Sequence, residues 1–281
     1  TAVLGVAGEG IDHTVQDQFK LKMQYDFTPT LQAGFTLGYW HQTYNSATST
    51  FLRDANGNPV YSGNVDIGGY EYTIPAAALA PSLGQSENWL YGVSLKTRNE
   101  TGWNGEATAS YYDISNSVAR TANSGAPGNG AGTVIFGDGT GWKTLDLRTT
   151  YTPASPQAGI ANHSLSFGYH YDDYFLDNES YNTLNWRDGA ATTFANAFKG
   201  KTQTQAVYAQ DAWRFLPRWK FVYGVRYEDW QAYEGSQASS ATTIPLADVN
   251  QHHFSPKASL SFDVTDDLTL RASIGRAYRF P

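Results

Sequence analysis

Phe19, Leu21, Met23, Tyr25 and Phe27 alternate with Lys20, Lys22, Gln24 and Asp26, and this stretch decides the fold. Apolar and polar side chains change places at every position, a period of two that belongs to a half-buried strand and not to a helix. The next segment keeps the rule, with Leu31, Ala33, Phe35, Leu37 and Tyr39 set against Gln32, Gly34, Thr36, Gly38 and Trp40. It returns in Trp89, Tyr91, Val93 and Leu95, in Trp103, Ala107, Ala109 and Tyr111, and in Leu145, Leu147 and Tyr151. Leu165, Phe167, Tyr169 and Tyr171 follow, then Phe221, Tyr223, Val225 and Tyr227, then Leu260 and Phe262, then Leu268, Leu270, Ala272 and Ile274. Only the segment from Val207 to Trp213 resists a clean assignment. Ten strands of roughly 9 to 14 residues are expected, long for a globular sheet and suited to a tilted bilayer crossing.

The connections decide the topology. Short turns at 28–30, 99–102, 153–162, 215–218 and 265–267 alternate with long loops at 45–87, 116–140, 176–200 and 234–251. Membrane barrels have short periplasmic turns and long extracellular loops, so residues 31–44 should run outward and 88–98 inward. Height along the apolar face supports this. Tyr25, Phe27, Trp103, Tyr151, Trp219 and Phe221 lie beside the short turns. Tyr39, Trp89, Tyr91, Tyr111, Tyr169, Tyr171 and Tyr227 lie beside the long loops, and aliphatic residues such as Leu21, Val93, Leu147 and Val225 fall between. Two aromatic girdles around an aliphatic band mark a transmembrane barrel; a soluble β-sandwich also alternates but has no reason to carry either feature.

Composition narrows the function. The 281 residues are 15% aromatic and only 16% charged, against roughly 25% charged in a soluble domain. Mean hydropathy is −0.45 and no apolar run approaches the roughly 18 residues of a spanning helix, which excludes a helical membrane protein. A net charge of −7 and a pI near 5.3 leave no basic footprint for nucleic acid. The absence of cysteine excludes disulfides, zinc ribbons, iron–sulfur clusters and thiol catalysis. Thr1 to Gly10 has no signal-peptide pattern, so a leader was removed or the chain starts within a longer protein.

Candidate motifs mostly dissolve. The glycine runs Gly128–Gly132 and Gly137–Gly141 lack the strand-to-helix context of a phosphate loop and read as mobile loop. Residues 54–58 imitate the start of a calcium loop, but Pro59 and Val65 occupy positions that need Gly and Glu, leaving a tight Asn-Gly turn. His252 and His253, like Asp172 and Asp173, are neighbours on a strand and point to opposite faces, so neither pair acts together. No metal site, cofactor or catalytic group is predicted. Inward-facing Lys20, Lys22, Lys96, Arg98, Arg148, Arg226, Glu228 and Arg271 read as a hydrated or plugged interior.

Two stretches carry a family resemblance: Tyr208-Ala-Gln-Asp-Ala-Trp-Arg214 leading through Gly224-Val-Arg-Tyr-Glu228, and Ser255-Pro-Lys-Ala-Ser259 leading into Leu270-Arg-Ala-Ser-Ile-Gly-Arg-Ala-Tyr-Arg-Phe-Pro281. They resemble the barrel of TonB-dependent outer-membrane receptors, as do Asp54–Gly63 and Asn88–Gly92. The resemblance covers roughly residues 50–281. It implies a Gram-negative outer-membrane transporter for a scarce, bulky ligand such as a siderophore chelate, cobalamin or an oligosaccharide, energised through TonB acting on an internal plug. Residues 1–281 hold no plug, TonB box or closing strands, so an internal part of a larger, 22-stranded antiparallel up-and-down β-barrel is expected. The expected partners are outer-membrane lipid, the TonB complex through that plug, and the small-molecule ligand.

Inward parity combined with extracellular height selects Trp40, Tyr44, Tyr112, Trp142, His170, Asp172, Tyr174, Trp230 and His253 as a ligand-facing rim. Aromatic rings suit bulky ligands because they offer large amphipathic contact at low entropic cost; packing against a plug or loops is the competing role. A passive porin would share the girdles and lack the plug. An outer-membrane protease could also be a ten-stranded barrel, with His170, Asp172 and His253 as its candidates.

Overall fold

The computed structural model describes residues 8–126, 128–154 and 163–280. Ten long strands run antiparallel, each beside its neighbour in sequence: β1 (Gly8–Thr28), β2 (Leu31–Thr50), β5 (Ser82–Thr97), β6 (Gly102–Ala122), β8 (Thr140–Thr152), β9 (His163–Thr183), β10 (Phe194–Leu216), β11 (Trp219–Ser239), β13 (Val249–Asp263) and β14 (Thr269–Gly275). Short strands decorate the long-loop end. β3 (Gly63–Ile67) and β4 (Tyr70–Ile74) form a separate hairpin, and β12 (Thr243–Pro245) extends β11. β7 (Gly132–Phe136) lies end to end with β8, both filling the row between β6 and β9. Among the described residues no helix is long and apolar enough to cross a membrane.

Register turns the alternation into two faces, because cross-strand partners project to the same side. Met23, Phe35, Val93, Ala109, Leu145 and Tyr171 form one row across six strands of the apolar face. Rings close the ends of that face. Tyr39, Trp89, Tyr91, Tyr111 and Phe175 make a chain of neighbours 4.7 to 6.4 Å apart at the long-loop end. At the short-turn end Trp103 meets Tyr151 at 5.2 Å and Trp219 meets Phe262 at 4.4 Å. Each such pair contributes about 0.5–1.5 kcal/mol beyond its buried area.

Strand length departs from expectation. β10 has 23 residues and β1, β6, β9 and β11 have 21 each. The extra turns of ladder lie above the long-loop girdle, where both faces are polar, as in Asn45-Ser-Ala-Thr-Ser-Thr50 of β2. Backbone pairing continues there although hydrophobic alternation has ended. The expected loops accordingly shrink to 51–81, 123–139, 184–193 and 240–248, with β7 inside the second. The expected turn at 153–162 lies largely outside the described residues. The unassigned stretch Val207–Trp213 is the middle of β10, paired on both sides. Its pattern is broken by Asp211, a buried carboxylate on the apolar face that accepts hydrogen bonds from the Tyr223 hydroxyl at 2.9 Å and pairs with His163 Nδ1 at 2.6 Å.

The long-loop end is packed, contrary to the expectation of mobile glycine loops. Trp186 is 1% exposed; its backbone N–H donates to the Gly130 carbonyl at 2.9 Å and its indole N–H to the Gly128 carbonyl at 3.1 Å. A Cβ on Gly132 would sit 2.4 Å from Cβ of Trp186, so a side chain there would expel the indole. Val134, Thr183 and Ala122 are buried beside it, and Arg120 donates to the Gly189 carbonyl at 2.8 Å. Residues 137–139 form the break between β7 and β8, where Gly139 takes a φ of +83°.

Candidate functional site

Most of the predicted rim falls on three adjacent rows of the polar face. One row holds Tyr112, Trp142, Tyr174, Thr202, Ala232 and Val249. The next holds Thr144, Asp172, Thr204 and Trp230, and the third holds Asp146, His170, Ala206, Glu228 and His253. Spacing along each strand could not establish this; the register between strands does.

Tyr112 and Trp142 stack at 3.9 Å with an 8° interplanar angle, and Trp142 continues to Tyr174 at 6.0 Å. Across from them Trp230 is buried, lying parallel to Phe280 at 5.5 Å. His253 stacks on Tyr278 at 3.7 Å, and the Arg276 guanidinium caps that ring at 4.5 Å. The segment 276–280 therefore turns onto the polar face and widens the aromatic wall. Between the two wings lies an open cleft of about 600 Å3, lined by Trp142, Tyr174, Leu176, Trp230 and Leu246 together with Lys199 and Lys201. Its lining is nearly all carbon, the mark of a small-molecule site that binds by contact area.

One row below, His170 sits between two carboxylates, with Nδ1 2.7 Å from Asp146 and Nε2 2.7 Å from Asp172. Asp146 was not foreseen, since only the β8–β9 register brings it opposite His170. This arrangement fixes the ring from both sides, one row away from the cleft. His253 is not brought to His170, because Ala206 and Glu228 stand between them in the row. Glu228 is itself engaged, accepting from Arg226 at 2.8 Å and from the Ser255 hydroxyl at 3.0 Å.

Trp40 and Tyr44 stand apart. Both lie on β2, with β5 between them and β6, and Tyr44 packs over the bare backbone of Gly84, where a Cβ would meet its ring at 2.6 Å. Leu246 and Thr202 line the cleft without having been foreseen; Phe280 and Tyr278 stack on Trp230 and on His253 beside it, and belong to the Gly-Arg-Ala-Tyr-Arg-Phe-Pro ending, whose aromatics were the available signal.

The other motifs behave as their spacing requires. Asp54 Oδ1 accepts from the backbone N–H of Asn56 at 2.9 Å and of Asn58 at 2.8 Å, while Asn58 Nδ2 reaches Asp54 Oδ2 at 3.0 Å. With Gly57 at φ +81°, this is a tight turn whose carboxylate is already occupied. His252 faces Asp229 at 3.1 Å on the side opposite His253, and Asp173 takes the Tyr233 hydroxyl at 3.3 Å away from Asp172. Among the described residues no cluster of His, Asp or Glu could hold a metal ion.

Solved structures share this fold. FpvA of Pseudomonas aeruginosa, in complex with a heterologous ferric pyoverdine, superposes with a TM-score of 0.64 at 15% identity, covering 93% of this chain and 35% of that one. The ferric citrate transporter FecA, in unliganded form, gives 0.61 at 14% identity over 92% of this chain and 35% of its own. The ferric yersiniabactin uptake receptor FyuA from Yersinia pestis gives 0.51 at 10% identity, covering 94% and 45%. The chain thus spans about a third of the length of the first of these structures. No curated protein sequence matches it. The family model described as TonB dependent receptor-like, beta-barrel matches residues 22–281, a family of transporting receptors and not of enzymes, and the chain belongs to it.

Proposed function

We propose that the chain forms ten strands of the wall of a Gram-negative outer-membrane receptor that captures a scarce, bulky iron chelate from outside and admits it through TonB. One observation carries the reading: the apolar cleft of about 600 Å3 between Trp142, Tyr174 and Trp230, placed on the polar face at the long-loop end. A chelate of a few hundred Å3 fits such a cleft, and broad rings hold it by area without needing a charge partner. The siderophore and ferric citrate receptors among the structures of like fold favour an iron chelate over cobalamin or an oligosaccharide.

The test is uptake of radioiron presented as hydroxamate, catecholate and citrate chelates to cells carrying the full receptor. Trp142→Ala combined with Trp230→Ala should lower the affinity for the transported chelate by about 100-fold, since each buried aromatic anchor contributes roughly 1–2 kcal/mol. Trp40→Ala, which lies outside the cleft, should change affinity less than about threefold. Collapse of the proton gradient should stop uptake without altering surface binding. Unchanged affinity in the double variant at equal receptor abundance would remove the cleft from the reading, and uptake that survives loss of the gradient would favour a passive channel.

A further inference from the structure

On the polar face, the rows below the aromatic cleft gather charge of one sign. The row beneath that of His170 and His253 holds Arg148, Gly168, Tyr208, Arg226 and Ser255, and the next holds Thr150, Ser166, Gln210, Gly224, Lys257 and Gly275. Glycine at 168, 224 and 275 leaves open space between the long cationic side chains, and Tyr208 lies flat over the bare backbone of Gly168. What remains is a cavity of about 620 Å3 whose lining includes Arg148, Tyr208, Arg226, Lys257 and Arg276. Trp230 of the cleft stands on the same strand as Arg226, four residues nearer the long loops, a distance of about 13 Å at roughly 3.3 Å per residue. The cavity is therefore the next space on this face on the way from the cleft toward the short turns.

Most of these cations have no anion to answer them. Among the described residues no carboxylate lies within ion-pair distance of Arg148, Lys257 or Arg276. The carboxylates of the same face are already engaged: Glu106 by Lys96 at 2.5 Å, Asp146 and Asp172 by His170 at 2.7 Å each, and Glu228 by Arg226 at 2.8 Å. The chain as a whole carries a charge of −7, so this gathering is a local arrangement and not a reflection of composition. Unanswered cations around a concave space focus a positive potential into it, and a guanidinium presents a fork of donors that matches the two oxygens of a carboxylate.

We propose that this cavity is a second binding station for the transported chelate, entered after the aromatic cleft, and that the chelate is an anion whose carboxylate or catecholate oxygens meet Arg148, Lys257 and Arg276. The inference rests on the receptor reading above and adds the charge of the cargo to it. The cleft holds its ligand by contact area, and the station beneath takes the negative oxygens. A neutral trihydroxamate chelate would be accepted by the cleft but would leave the cations below unanswered, and so serves as the contrast.

The experiment gives cells carrying the full receptor radioiron as the citrate, tricatecholate or neutral trihydroxamate chelate, and measures uptake with the proton gradient intact and surface binding after its collapse. One of the two anionic chelates should be taken up about tenfold faster than the trihydroxamate, the factor expected of a charge-assisted contact that only the anion makes. Arg148→Gln combined with Lys257→Gln, both exposed positions, should lower uptake of that anion by about tenfold at equal membrane abundance, while its surface binding, set by the cleft, changes less than about threefold. Lys257→Arg, which keeps the charge, should keep uptake, and Lys257→Glu should abolish it. Lys22→Gln, which removes a cation of the same face on β1 outside the cavity, should leave uptake as it is. Preferential uptake of the trihydroxamate, or undiminished uptake of the anion in the double glutamine variant, would overturn the station and leave the receptor reading standing. Loss of surface binding together with uptake in that variant would also overturn it, assigning the cations to holding an internal plug. Uptake of none of the three chelates would remove the receptor reading, and the station with it.

Discussion

Gly168 on the polar face of β9 illustrates how single positions set the wall. It stands opposite Tyr208 of β10, and a Cβ there would lie 2.2 Å from that ring, inside any permitted contact. The tyrosine lies flat across the missing side chain, as Tyr44 does across Gly84. Gly168→Val should therefore force Tyr208 upright and destabilise the sheet by about 1–3 kcal/mol, the usual cost of overpacking. Urea unfolding of the receptor in detergent micelles reads this directly, and Tyr208→Ala in the same chain should restore part of the loss. A second position bears on pH. The side-chain amide of Asn58, joined by the backbone N–H groups of Asn58, Asn56 and Gly57, holds the Asp54 carboxyl below the ordinary aspartate range. Its folded value lies under its unfolded one, so the contribution to the turn is complete above the unfolded value and disappears as pH falls through the folded one. Carboxyl-carbon NMR should find Asp54 titrating below other exposed aspartates, and Asn58→Ala should move it upward.

At the scale of elements, the decisive contacts are those between loops. Trp186, in the connection from β9 to β10, reaches across to the connection between β6 and β7 and is held there by Gly128, Gly130 and Gly132. The connection from β2 to β5 joins the same body: the Thr48 hydroxyl donates to the Leu79 carbonyl, and the Gly125 N–H donates to Ala76 at 3.0 Å. Trp186→Ala removes a fully buried indole, a loss of about 3–5 kcal/mol in a packed core. That loss falls on the loop body and not on the ladder, so limited proteolysis should cut within 123–131 and 184–193 while the strands remain protected. None of this was legible in the sequence, where the glycines looked merely permissive and a lone tryptophan among Asn and Asp gave no period. The strands between the girdles were legible for the opposite reason: one face of each meets an apolar surround, so selection of Leu, Val and aromatic residues at every second position leaves a trace. Above the girdle both faces are wet and the trace vanishes, which is why β9 and β10 continue past 175 and begin before 200 unannounced. The rim was legible by parity and height, but its division into a joined cleft and the separate Trp40 and Tyr44 depended on register, which alternation along one strand does not encode.

For the whole molecule the two faces make the sharpest claim. If the apolar face meets lipid, an arginine at Leu147, in the middle of the band, should cost about 2–4 kcal/mol, whereas one at Thr108 on the polar face should cost little. Outer-membrane assembly of the two variants, compared by heat-modifiable gel mobility, separates them, and equal tolerance would reject a membrane-facing side. The same reasoning bears on the sheet edges. β1 and β14 stand at opposite ends of the strand order; every residue of β1 beyond Gly8 and every residue of β14 is exposed, on both faces. Unpaired backbone N–H and C=O groups in hydrocarbon cost several kcal/mol each, so a ten-strand sheet with two open edges is not viable in a bilayer. We propose that further strands of the same polypeptide pair with both edges and close the barrel. The native protein from its source membrane should then have a mass well over twice 30.8 kDa, with peptides extending past β1 and past β14. Cysteine pairs placed across each edge should cross-link to those added strands. A native mass near 30.8 kDa, with β1 cross-linking to β14, would mean that the ten strands close on themselves. A barrel of that size has an interior filled or narrowly lined by its own side chains, and the cleft at Trp142 and Trp230 would then be a mouth without a passage beneath it.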